Sequence, residues 1–217
     1  MNIWQHYYKQ HHVNRDPHVY GMCKVNDQHR LFYVLIPKNA STSLRQGVAT
    51  CAFRDGNYHD EKLIKQGYKA IMVLREPIDR WCSGLSEYIN RRLGGRWSPM
   101  LKNEHALKLI FQRPAQDEHT ESQHMYIHGL DPAQSHVLRC DQELSRNMSA
   151  LLDQYGIRNY LDEQKPKYVT SGGKLQCKDF LQEMLRGDED KMNRIKAFYR
   201  IDIDLYERVK YYVKGVG

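Results

Sequence analysis

Two stretches of the chain combine residue types that could do chemistry. The first, "IPKNASTSL" at residues 36–44, sets Lys38 ahead of the small residues Asn39 and Ala40 and the three hydroxyls of Ser41, Thr42 and Ser43. Small side chains let an anion approach the backbone, the hydroxyls add donors, and the lysine adds a full charge at the mouth of the loop. If a strand precedes this segment and a helix follows it, free backbone N–H groups at the positive end of that helix complete a site for phosphate or sulfate. The second stretch, "LREPIDRWCS" at residues 74–83, puts Arg75 at the end of another apolar run and Ser83 eight residues later.

The elements needed to position these groups are legible. "LFYVLI" at 31–36 and "YKAIMVL" at 68–74 are continuous apolar runs of the kind that parallel strands carry when both faces are buried. After the first, Leu44, Val48, Cys51 and Ala52 recur at helical spacing. After the second, Ile78, Trp81, Cys82, Leu85 and Ile89 do the same on a helix that Pro77 can open. With Ile78 as origin, Ser83 falls roughly 140° around that helix, off the apolar stripe and free to face a ligand. Two strand-to-helix units imply an α/β fold: a three-layer, P-loop-like arrangement with a central, mainly parallel sheet flanked by helices.

A chain of 217 residues suits one domain. Residues 1–29 are a polar lead-in, 30–90 the core that carries both stretches, 91–124 loops around a short helical stretch, and 177–217 C-terminal helices broken once. "MYIHGL" and "SHVLRC" read as further strands, and residues 141–154 as a helix stopped near Gly156. The apolar runs fall far short of the ~20 residues a membrane span requires. The start, "MNIWQHYYKQHH", lacks the basic-then-apolar order of a secretory signal, so a cytoplasmic location is expected. Five scattered cysteines without a Cys-x-x-Cys pair are expected as reduced thiols. Lys plus Arg exceed Asp plus Glu by 33 to 26, a net charge of +7, which favours anionic partners.

"IPKNASTSL" resembles the 5′-phosphosulfate loop of sulfotransferases that use 3′-phosphoadenosine 5′-phosphosulfate (PAPS), especially the carbohydrate-modifying branch, where proline and lysine precede small residues and hydroxyls. "VLREPIDRWCSGLSEYI" is similar to that family's 3′-phosphate segment. Three weaker matches follow in order. "DEHTESQHMYI" resembles a His-x-x-x-Gln stretch of the carbohydrate branch, "KYVTSGG" a late loop over the nucleotide, and "IKAFYRIDIDLYERV" a C-terminal tyrosine, aspartate and aromatic helix signature.

The resemblance implies transfer of a sulfuryl group from PAPS to a hydroxyl, or less often an amine, of a glycan or other polyhydroxyl acceptor, without a metal. Pro37, Lys38, Asn39, Ala40, Ser41, Thr42 and Ser43 would hold the 5′ end of the nucleotide, Arg75 and Ser83 the 3′-phosphate, and Ser171 the closing loop. Charge grows on the departing phosphate oxygen, where Lys38 would stabilise it. The base that takes the acceptor proton is expected at His59 in "GNYHDEKL", with His119, Glu61 and Asp60 as alternatives. Trp81 and Trp97 are candidates to stack on a base or sugar.

Two other function classes fit less of the sequence. A small-molecule kinase would show G-x-x-x-x-G-K-[ST], whereas here the lysine comes first and glycine is absent. A non-catalytic anion or nucleic-acid binder rests on net charge alone, since no nucleic-acid motif occurs. His119, His124 and His128 are not expected to bind zinc, because no cysteine or close carboxylate pair completes a tetrahedral set.

Overall fold

The structure is a computed structural model that describes residues 17–40, 52–93, 101–157 and 173–212. Ser41, Thr42, Ser43, Trp97 and Ser171, and most of the helix expected after residue 40, lie outside these residues. The two ends of that helix that are described, Ala40 and Ala52, both have left-handed backbone (φ 57° and 58°) and so are not helical.

Among the described residues five strands form one sheet in the order β3-β1-β2-β4-β5: β1 (Met22–Asn26), β2 (Leu31–Val34), β3 (Arg54–Asn57), β4 (Lys69–Leu74) and β5 (His136–Arg139). The ladders β2–β4 and β4–β5 are parallel, whereas β1 runs antiparallel to both β2 and β3. The sheet is therefore mixed, which corrects the expectation of a mainly parallel one. The polar lead-in is corrected as well, because β1 lies inside residues 1–29 and within the sheet. Its signal is short: only Cys23 and Val25 are apolar core residues, and the alternating Lys24 and Asn26 are buried too. β3, with the sequence RDGN, carries no apolar side chain and is held by pairing with β1.

Both faces of β2 and β4 are covered, as their continuous apolar runs require. Phe32, Val34, Met72 and Leu74 face a cluster that includes Tyr126 and Val209, while Leu31, Tyr33, Ile71 and Val73 face Leu144, Met148, Leu151 and Leu152. The helices are α1 (Pro77–Leu93), α2 (Glu104–Gln112), α3 (Gln123–Tyr126), α4 (Leu144–Asp153), α5 (Gly173–Arg186), α6 (Glu189–Phe198) and α7 (Arg200–Tyr212). A third cluster joins α1 to α2, α5 and α6 through Trp81, Leu85, Phe111, Leu181 and Ile195. Glu76 starts α1 by accepting the backbone N–H groups of Ile78 (3.1 Å) and Asp79 (2.6 Å), so glutamate serves as the cap there.

Two further expectations change. "MYIHGL" is not a strand: its start belongs to the helical turn α3, whose first two N–H groups, on Gln123 and His124, are held by the buried Asp202 carboxylate at 2.7 and 2.9 Å. Within residues 91–124 the expected short helical stretch is α2, capped by Asn103, but the part expected as loop after it includes a segment, Thr120 to Gln123, that is at most 1% exposed. Arg80 and Tyr199 donate to the backbone carbonyls of Glu121 and Thr120, which supplies the partners that a buried loop needs. No helix among the described residues is long and apolar enough to cross a membrane.

Candidate functional site

All of the strand ends that matter face one way. β2, β3, β4 and β5 share a direction, so Lys38, His59 and Arg75, which follow three of them, lie at the same end of the sheet. β2 and β4 are adjacent, and there the two motifs join. The Arg75 guanidinium donates through Nη1 to the carbonyl of Lys38 at 2.7 Å, and Arg80 donates through Nε to the carbonyl of Pro37 at 3.1 Å. Asn39, fully buried, donates from Nδ2 to the carbonyl of Val73 at 2.8 Å and to Gln123. Gln123 in turn clamps the backbone of Arg75, accepting from its N–H at 3.0 Å and donating to its carbonyl at 2.9 Å.

These latches explain a costly backbone. Lys38 and Ala40 both have left-handed φ (69° and 57°), a region that non-glycine residues avoid and that persists only where the surroundings over-determine it. Three consecutive residues, Pro37, Lys38 and Asn39, are each tied to β4, to α1 or to Arg75 between them. Asn39 therefore braces the loop from inside.

The Lys38 side chain points along α1. Its Nζ lies 3.8 Å from Glu87, which also receives Lys174 of α5 at 2.8 Å and Arg91 at 2.9 Å. Burial lowers the Lys38 ammonium, Glu87 opposes that, and the neighbouring cations Arg75, Lys174 and Arg91 lower it further. Burial also raises Glu87, but Lys174, Arg91 and Lys38 more than reverse this and bring its carboxyl down to about 2. Two turns earlier on α1, Asp79 binds Arg75 at 2.6 Å, Lys178 at 2.6 Å and Gln182 at 2.9 Å. Asp79, Ser83 and Glu87 thus form one stripe at intervals of four residues, facing Lys174 and Lys178 of α5. Ser83, 5% exposed, sits in its middle.

Arg75 uses three of its five N–H donors on Lys38 and Asp79, which leaves two for a ligand. Five cations, Lys38, Arg75, Arg91, Lys174 and Lys178, gather around Asp79, Glu87 and, beside Arg91, Glu118, a surplus that an anion would neutralise. Glu87, Lys174, Lys178 and Asp79 were invisible as site residues in the sequence, since charges on two helices reveal nothing until their pairing is known.

The candidate bases separate. Glu61 is bound to Arg54 at 2.7 Å and to the Asn57 N–H at 3.1 Å, and the Arg54 hydrogen bond holds its carboxyl below the usual range, so it is a poor proton acceptor. Asp60 neighbours it on the same turn. His59 follows β3, two strands away from β2, and its imidazole, pushed down by burial, packs on Tyr58 and lies near His128. His119 instead rests on α1: a methyl group placed on Gly84 would come within 2.1 Å of the His119 carbonyl oxygen. Its Nδ1 lies 3.0 Å from Asp117 and 3.3 Å from Glu118, and Glu118 is 4.0 Å from Arg91, the partner of Glu87. Contacts therefore run unbroken from Lys38 to His119.

Trp81 is fully buried, donates to the Pro114 carbonyl at 3.0 Å and packs on Phe111, so it does not stack on a ligand. Among the described residues the group of side chains close enough to share a metal is Asp117, Glu118 and His119. Those contacts are already used in hydrogen bonds and opposed by Arg91; His124 and His128 are not part of the group. Cys23, Cys82 and Cys177 are free thiols that burial pushes up to about 12, which keeps them protonated. A cavity of about 350 Å³ lined by Ile64, Tyr68, Lys69, Asp131 and Ser135 opens at the other end of β4 and takes no part.

Comparison with known proteins returns no match: no family model, no curated protein and no solved structure is similar to this chain.

Proposed function

We propose that this protein is a PAPS-dependent sulfotransferase whose nucleotide sits across the ends of β2 and β4, in a P-loop-like arrangement of strand, loop and helix. The observation that carries the reading is the 2.7 Å bond from Arg75 to the Lys38 carbonyl, which couples the two motifs into one cationic site. A nucleotide with phosphates at both ends matches a site with a lysine on one side and an arginine fork on the other. Lys38 stands by the bridging oxygen that gains charge, Arg75 and Ser83 take the 3′-phosphate, and Ser41, Thr42, Ser43 and Ser171 supply further donors as the sequence resemblance implies. The acceptor is a hydroxyl-bearing glycan or similar molecule, and the surplus of positive charge suits an anionic one.

The reading is tested by thermal stabilisation with 3′-phosphoadenosine 5′-phosphate against ATP with magnesium. Ligand bound only to the folded state at 100 times its Kd adds about 2.7 kcal/mol, so a clear rise in Tm is expected for the first compound and none for the second. A response to ATP with magnesium alone would favour a kinase. Binding of oligonucleotides with steep salt dependence would favour a non-catalytic binder.

A further inference from the structure

We infer that His119 is the proton acceptor of the proposed transfer and that Asp117 is the positioning residue that fixes its tautomer. This rests on the sulfotransferase reading and goes beyond it, since the sequence left the base open among four residues and gave Asp117 no role.

The geometry begins with Asp117. One oxygen, Oδ1, accepts the backbone N–H of His119 at 2.9 Å and that of Thr120 at 3.3 Å, so the carboxylate is anchored by the turn that carries the histidine. The other oxygen, Oδ2, lies 3.0 Å from His119 Nδ1. Burial raises the Asp117 carboxyl, but the hydrogen bond from His119, with those two N–H groups, holds it below the usual carboxylate range. An ionised carboxylate only accepts, so Nδ1 must carry the hydrogen. The neutral imidazole then keeps its lone pair on Nε2, which no described residue engages. The turn itself is pressed onto α1 at Gly84, next to Ser83 and one turn from Glu87.

His59 has no such arrangement. Its contacts are Tyr58, Asp60 and His128, and β1 separates its own strand from β2. In the proposed step the acceptor O–H gives its proton to His119 Nε2 while its oxygen forms the new bond to sulfur. The bond from sulfur to the nucleotide's phosphate oxygen breaks, and its electron pair leaves on that oxygen beside Lys38. Each atom and charge is accounted for without a metal or a redox partner.

The test pairs spectroscopy with kinetics on Asp117→Asn and, as the conservative variant, Asp117→Glu. Nitrogen-15 NMR of the histidines, with His119→Gln to assign the signal, should show His119 protonated on Nδ1 in the wild type, with that preference lost in Asp117→Asn. Transfer from labelled PAPS to desulfated chondroitin and heparin should fall on the order of 10²-fold in Asp117→Asn. Affinity for 3′-phosphoadenosine 5′-phosphate should stay unchanged, with partial recovery of rate in Asp117→Glu. A wild-type His119 protonated on Nε2, a tautomer unchanged in Asp117→Asn, or full-rate transfer by that variant would each overturn the inference. If instead the wild type does not bind the nucleotide, the sulfotransferase reading falls whatever the tautomer, so the two failures are told apart.

Discussion

Replacing Glu87 by Gln removes the one carboxylate that Lys38, Lys174 and Arg91 share, and its cost can be worked from the structure. The carboxyl moves from an ordinary 4.5 to about 2 on folding. At about 1.4 kcal/mol for each tenfold change in proton affinity, this sets a ceiling of roughly 3.5 kcal/mol. Arg91 is 57% exposed and Lys174 38%, so solvent screens two of the three pairs. Exposed pairs contribute about 0.2–1 kcal/mol each, and the expected loss for Glu87→Gln at pH 7 is about 1–2 kcal/mol. For a domain of this size that is a fall in Tm of about 2–8 °C.

The sign of the pH dependence follows from the direction of the shift. A carboxyl whose folded value is depressed stabilises fully above its unfolded value of 4.5 and loses that contribution as pH falls towards about 2. Urea unfolding of wild type and Glu87→Gln at pH 7, 5, 4 and 3 should therefore show a gap that holds at the first two and has more than halved at about pH 3. A gap independent of pH, or a variant as stable as wild type at pH 7, would refute the placement of Glu87 as the charge hub.

Gly84→Ala should destabilise the protein despite the gain of about 1 kcal/mol that alanine brings to a helix interior. The new methyl group would meet the His119 carbonyl oxygen at 2.1 Å and carbon at 2.6 Å, so a net loss of about 1–2 kcal/mol is expected in chemical denaturation; a stabilised variant would contradict the close approach. Lys38→Ala should abolish sulfuryl transfer with the fold retained, read by circular dichroism beside a labelled-PAPS assay. Arg75→Ala removes charged hydrogen bonds worth about 1.5–3 kcal/mol, so calorimetry should show the Kd for 3′-phosphoadenosine 5′-phosphate rising roughly 10- to 150-fold. Unchanged rate and affinity in these two variants would remove the site assignment.

What the sequence made legible was whatever repeats at short range. β2, β4 and α1 follow from uninterrupted apolar runs and from the spacing of Trp81, Cys82, Leu85 and Ile89, and Arg75 and Lys38 from their places at strand ends. β1 and β3 escaped notice because "MCKVN" buries a lysine and an asparagine, and "RDGN" has nothing apolar to count. The turn at Gln123 escaped because the group that stops it from extending, Asp202, comes 79 residues later. The same distance in sequence hid the site's frame. Only pairing across the fold reveals that Asn39, Gln123 and Arg80 hold the loop, or that α5 brings Lys174 and Lys178 to the stripe on α1.

The central claim is that Lys38 and Arg75 grip one nucleotide by its two ends. A crystal structure of the protein grown with 3′-phosphoadenosine 5′-phosphate tests it most directly. The 5′-phosphate is expected against the Lys38 ammonium and the 3′-phosphate against Arg75 and Ser83. A nucleotide bound at another part of the surface, or a site that stays empty at saturating concentration, would contradict the account.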